Sequence, residues 1–113
     1  MPDILITVPK SVDWSVYQLE LDAAAAGSTM NFKVPNFPKV DAGDRCYIVY
    51  NGFVRGWMAV TGLKHDDFVC DTTGDRWAGK FVQRSGLFHA VEPVQMTGFQ
   101  GFRYVHRNEF KDT

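Results

Sequence analysis

This 113-residue chain is short of several things, and each scarcity excludes a class of protein. Neither sign of charge is in excess. Its 12 Lys and Arg stand against 13 Asp and Glu, a net −1, so the global basic signature of a nucleic-acid binder is missing. Cysteine is scarce, with only Cys46 and Cys70, both inside stretches that read as strand. That excludes a disulfide scaffold and leads us to expect two reduced, buried thiols in a cytoplasmic protein. Long apolar runs are lacking, and none approaches the roughly 18–20 residues of a membrane-spanning helix. The opening MPDILITVPK has no basic segment, long apolar segment and cleavage site in succession, so neither a secretory signal nor a membrane partner is expected.

Motifs that carry chemistry are equally sparse. His65, His89 and His106 share no metal-ligand spacing with one another or with the cysteines. Asp66, Asp67, Asp71 and Asp75 do not follow the alternation of a calcium loop. Ser85 and Cys46 lack the local signature of a nucleophile, and Gly98-x-x-Gly101 alone does not make a phosphate-cradling loop. The expectation is a protein without metal, cofactor or catalytic residue.

What the chain does have is aromatic side chains, 14% of its residues, with nine Phe, four Tyr and three Trp. A small barrel fills its interior with such residues, and a binding face stacks them on ligands; composition does not separate the two. Local charge is uneven as well. Residues 76–107 hold Arg76, Lys80, Arg84, Arg103 and Arg107 against Glu92 alone, which allows a local basic face.

The clearest local signal lies at residues 43–62, GDRCYIVYNGFVRGWMAVTG. Asn51-Gly52 suits a two-residue type I′ turn, in which both central residues take positive φ. The apolar run 46–50 reads as a strand covered on both faces. Gly56 in the return strand marks a bulge or a close backbone approach. Before this hairpin, residues 4–8 read as a strand stopped by Pro9. A helix capped by Ser11 or Asp13 then runs to about Ala26, with Gly27 as its C′ residue. Trp14, Tyr17, Leu21 and Ala24 form one apolar stripe on it, and Val12, Val16, Leu19 and Ala23 form a second beside the first. The combined face is broad, and both stripes are expected to be packed. Strands are expected at 29–34, 68–71, 77–84, 87–91 and 102–106, with turns at 72–75 and at Ser85-Gly86. The prolines of 35–38 forbid a regular ladder, 93–101 reads as loop, and the tail 108–113 as frayed. The fold class expected is α+β, mainly β: one domain over 1–113, a small mixed β-barrel of about six strands with one N-terminal helix. Closure would hide the edges of so many short strands.

The order strand, helix, Gly, extended segment and G-D-R strand resembles the PUA-like superfamily, nearest its ASCH and EVE branches. Gly27-Ser28-Thr29-Met30-Asn31-Phe32-Lys33, Gly43-Asp44-Arg45-Cys46-Tyr47-Ile48 and Gly56-Trp57-Met58-Ala59-Val60 carry the resemblance, which covers roughly 4–84. It implies a barrel with a cleft for a nucleobase, RNA or a related ligand. The family usually lines that cleft with a Lys, an acid and an Arg. Ser28, Asn31 and Lys33 stand there instead, so the nucleoside-hydrolysing activity of some members is not implied.

Two groups remain as candidate ligand or nucleic-acid contacts. The first is Trp77 and Arg84 with Phe99, Arg103 and Tyr104, where aromatic rings would stack on bases and Arg would neutralise phosphate. The same aromatics could instead plug a barrel end. The second is Arg55 and Trp57, placed on one face of the return strand by period-2 alternation. An enzyme acting on a small ligand stays open only if a cleft holds a perturbed acid or His; beside it stand two functions, a non-catalytic module binding RNA, DNA or a modified base, and an interaction domain, including a homodimer, that uses the same surface. The position of the six Arg residues relative to Trp57 and Trp77 separates them.

Overall fold

A computed structural model describes residues 2–71 and 73–113. The first strand, β1 (Asp3–Val8), leads through Pro9 into helix α1 (Trp14–Ala25), and β2 (Met30–Val34) follows. After the proline segment come β3 (Arg45–Tyr50), β4 (Phe53–Val69), β5 (Arg76–Gln95) and β6 (Phe102–Val105). All six strands form one sheet in the order β2-β5-β4-β3-β1-β6, in which β1 and β3 run parallel and the other neighbours antiparallel.

Local chemistry accounts for the start. Asp13 holds an extended conformation and accepts the amide of Ser15 at 2.8 Å, which satisfies a donor the helix leaves open. Ser11 plays no part in the cap. Gly27 sits at φ +111°, its amide bonds Ala24, and the Ser28 amide reaches back to Ala23 at 3.0 Å. Only one of the two apolar stripes is packed. Tyr17, Leu21 and Ala24 are buried, whereas Val16 and Leu19 are 46% and 67% exposed. A 12-residue helix on a sheet has one line of contact, so Val16 and Leu19 turn to solvent, while Val12, ahead of the helix, packs against the core.

The expected hairpin turn is present, with Asn51 at φ +50° and Gly52 at +84°. Its return strand is longer than expected. β4 continues through Gly62 to Val69, and β5 continues through Ser85-Gly86 where a turn was expected. The register shifts between Trp57 and Ala59 as Gly86 takes φ +94°, so the glycine makes a bulge and not a reversal. Of the expected turn at 72–75, Thr72 lies outside the described residues. The ends of that turn are joined by Cys70 N–H to the Asp75 carbonyl at 2.7 Å. Beyond the reach of β3 and β2, residues 66–69 and 76–79 pair only with each other among the described residues, as an arm.

The sheet does not close. β2 and β6 are its two ends and no ladder joins them, so an open six-stranded sheet stands where a barrel was expected. The segment after β2 spans the gap irregularly, with the Lys39 amide donating to the Tyr104 hydroxyl at 2.8 Å. Pro35 and Pro38 lack the N–H groups a regular ladder needs.

The core lies on both faces. One layer joins Ile4, Ile6, Cys46, Ile48, Met58, Val60 and Val82 to Tyr17, Leu21 and Ala24 of α1. The other gathers Leu5, Tyr47, Val49, Val54 and Val91 around Phe110. The tail is therefore not frayed. A 3₁₀ turn (Arg107–Glu109) follows β6, and Phe110 is 7% exposed with its ring 4.5 Å from that of Tyr47. Arg107 donates two hydrogen bonds of 3.0 Å to the buried Asp3 carboxylate, and Asp112 bridges to Val91 at the β5 edge. Apolar burial at Phe110 outweighs the polar character that made this segment look free; burying one such ring contributes about 1.5–3 kcal/mol.

Candidate functional site

The seven residues singled out in the sequence do not converge. Arg84 is 2% exposed, under α1, where its guanidinium donates to the Tyr17 hydroxyl at 3.2 Å and its Nε has no partner. Burial works against its charge, but Tyr17, Cys46 and Glu20 hold its pKa above the ordinary value. It faces no solvent and cannot reach a phosphate outside the protein. The same burial pushes the neighbouring Cys46 thiol up to about 11, with Arg84 pulling the other way. Trp77 lies on the arm, 6.1 Å from both Phe68 and Phe81, closing a small aromatic cluster with them. Tyr104 is 49% exposed, and its hydroxyl accepts the Lys39 amide across the gap between the sheet ends.

Phe99 and Arg103 do meet. The guanidinium of Arg103 lies 4.3 Å from the Phe99 ring centroid, and the Phe99 amide donates to the Thr7 hydroxyl at 3.2 Å. Arg55 falls at the β4 bulge, where the register changes between Val54 and Gly56. One inserted residue reverses the alternation, so Arg55 is not the cation on Trp57. Its Nε donates to the Tyr50 carbonyl at 3.0 Å, and its guanidinium lies 5.2 Å from the Phe53 ring.

Trp57 instead sits at the centre of a three-layer stack. Arg45 on β3 lies 4.0 Å from the indole centroid, and His89 on β5 stacks at 4.1 Å and 15°. β3 and β5 flank β4 on opposite sides, so the two groups cover opposite faces of the ring. The indole N–H donates to Asp112 at 2.9 Å, and Asp112 also pairs with Arg45 at 3.7 Å. Arg45 reaches the Tyr47 hydroxyl at 3.2 Å as well, which opposes the rise in Tyr47 pKa that burial causes. Gly56 is required beside this stack, since a Cβ there would run into the His89 carbonyl and the Phe88 ring. His89 itself is exposed: β2 reaches β5 only at residues 80–84, while the tail ties to β5 beside it, at Ala90, Val91 and Glu92.

Arg45, His89 and Asp112 were missed by sequence reasoning. A hairpin register counted from Asn51-Gly52 with one bulge would have set Tyr47 opposite Trp57 and Arg45 one pleat away. Asp112 left no local signal, because only the fold of the tail brings it there.

Among the described residues no group of three or more His, Cys, Asp or Glu is placed to hold a metal, and no helix is long and apolar enough to cross a membrane. No protein-family model, curated protein or solved structure matches the chain.

Proposed function

We propose that this chain is a non-catalytic binding module that takes a nucleobase of RNA or DNA on the outward face of His89, continuing the Arg45–Trp57–His89 stack. The observation that carries this reading is the mixture of layers. A cation, an indole and an imidazole in register suit a planar, electron-rich ligand, whereas obligate dimer faces are apolar with few charges. Each stacked base is worth about 1–3 kcal/mol on such platforms. The fold belongs to this proposal as an open variant of the PUA-like barrel, with the proline segment standing in for the closing ladder. A reducing compartment such as the cytoplasm suits the buried Cys46 thiol.

Salt-titrated binding to single-stranded RNA, single-stranded DNA and duplex DNA tests it. Binding to single strands should weaken as salt rises and drop about tenfold in His89→Ala. No binding at low salt, or affinity indifferent to salt and to His89, removes the proposal. Self-association is the second reading, favoured by the exposed Val16 and Leu19 on α1. A light-scattering mass of twice the monomer value would support it.

A further inference from the structure

β1 and β3 run parallel and end side by side, with Val8 opposite Tyr50. Beyond their carboxyl ends the chain leaves in two directions, β1 toward α1 and β3 into the Asn51-Gly52 turn. Divergent exits of this kind open a crevice at the ends of parallel strands. Here the crevice is a cleft of about 350 Å³, lined by Thr7, Val8, Lys10, Val49, Asn51, Gly52, Thr97 and Gly98. Residues 96–101 roof it, and two hydrogen bonds pin that roof: Met96 N–H to the Gly52 carbonyl at 2.8 Å and Phe99 N–H to the Thr7 hydroxyl at 3.2 Å. Gly98 lies close over Thr7; a Cβ there would be 3.1 Å from the threonine methyl. These ties join residues 96–99 to both the hairpin turn and β1.

Its lining has one chemical character. Val8 and Val49 add apolar atoms to it, although each packs chiefly into the core, on opposite faces of the sheet. No carboxylate lines the cleft, and Lys10 is its single charge. Among the described residues Lys10 makes no ion pair and the Asn51 side chain no hydrogen bond. The hydroxyl of Thr7 accepts from Phe99 and keeps its proton to donate. One ammonium, the hydroxyl and amide donors of Thr7 and Asn51, and no carboxylate suit an anionic head on a short apolar body.

We propose that this cleft binds a small organic oxyanion, a phosphomonoester or a carboxylate, with Lys10 as its counter-charge and Asn51 and Thr7 as hydrogen-bond donors. The proposal is independent of base stacking at His89, which involves none of these residues.

Phenyl phosphate and benzoate, titrated separately at low salt into ¹⁵N-labelled protein, test it. At least one probe should shift the Asn51, Gly52 and Gly98 amides to saturation, and the tighter one identifies the head group. Lys10→Met should weaken that binding about tenfold, the worth of one charge-assisted hydrogen bond. Asn51→Gly, which keeps the turn because glycine accepts positive φ, should weaken it severalfold. Shifts that never saturate, shifts spread equally over Lys64 and Lys111, or a Lys10→Met protein that binds as wild type would each overturn the proposal.

Discussion

The two faces of the sheet are covered by different means. Over one lies α1, a regular helix with a proper cap that buries Tyr17, Leu21 and Ala24 in a continuous layer. Over the other lies an irregular strap, residues 107–113, which has one deeply buried side chain, Phe110, and is otherwise held by Arg107 on Asp3, Asp112 on Trp57 and Arg45, and backbone bonds to the β5 edge. The helix is held by area spread over several residues. The strap depends on one ring and a few polar ties, so its stability is concentrated. It also leaves the aromatic and arginine side chains of that face partly uncovered, and the candidate site lies there for that reason.

The largest effect should come from removing the single anchor. Phe110→Ala is expected to cost about 3–4 kcal/mol in urea unfolding, against about 3 kcal/mol for Leu21→Ala on the helix face. Hydrogen exchange should separate the two, with Phe110→Ala exposing the Ala90 to Glu92 edge while α1 stays protected. A cost under about 1 kcal/mol at Phe110 would mean that the strap is only a cover and that the helix carries both layers.

Cys46 reports on the helix face directly. Its thiol, pushed up to about 11 by burial, should resist thiol reagents at pH 8 in the native protein and react promptly in denaturant. A raised acid pKa means that the folded state holds its proton more tightly than the unfolded chain. The stability this contributes is therefore present below the ordinary value of 9.0 and is lost as pH rises from there toward about 11. Cys70 is half-buried where a buried thiol was expected, so the assay is read in Cys70→Ser, and native reactivity of Cys46 at pH 8 there would show that α1 opens readily.

On the strap face Asp112→Ala should cost only about 0.5–1 kcal/mol, since its side chain is half exposed, yet change the Trp57 emission by releasing the indole N–H. An unchanged spectrum would place Asp112 away from the indole in solution. The smallest effect is at the helix cap. Ser15 holds the Asp13 carboxyl below its ordinary value of 3.8, so the cap stabilises the fold above that pH and is lost as pH falls through the lowered pKa. The gap in Tm between wild type and Asp13→Ala should close at about that acidity. A gap that persists there would assign it to something other than the carboxylate.

Legibility followed the range of the interactions. The cap at Asp13, the stop at Gly27 and the turn at Asn51-Gly52 were readable because each is settled within a few residues. The Gly56 approach was readable for a related reason, since a strand that tolerates glycine has a neighbour close by. Arg84 was misread as a surface contact because strand alternation gives two faces without saying which one a helix will cover. Arg55 was misassigned to Trp57 because one bulge residue inverts the alternation after it. Asp112 and Phe110 were illegible: a polar hexapeptide with one Phe looks free until a face of the sheet lacks a cover.

By itself, then, the sequence determined a mainly β chain with one capped helix near its start and a tight hairpin at its centre, because propensity, capping and turn chemistry act locally. Only the tertiary structure decided that the sheet stays open, that the tail closes its second face, and that Arg45 and His89 enclose Trp57. Those outcomes depend on which apolar surfaces find each other across a hundred residues, and no local pattern encodes that choice.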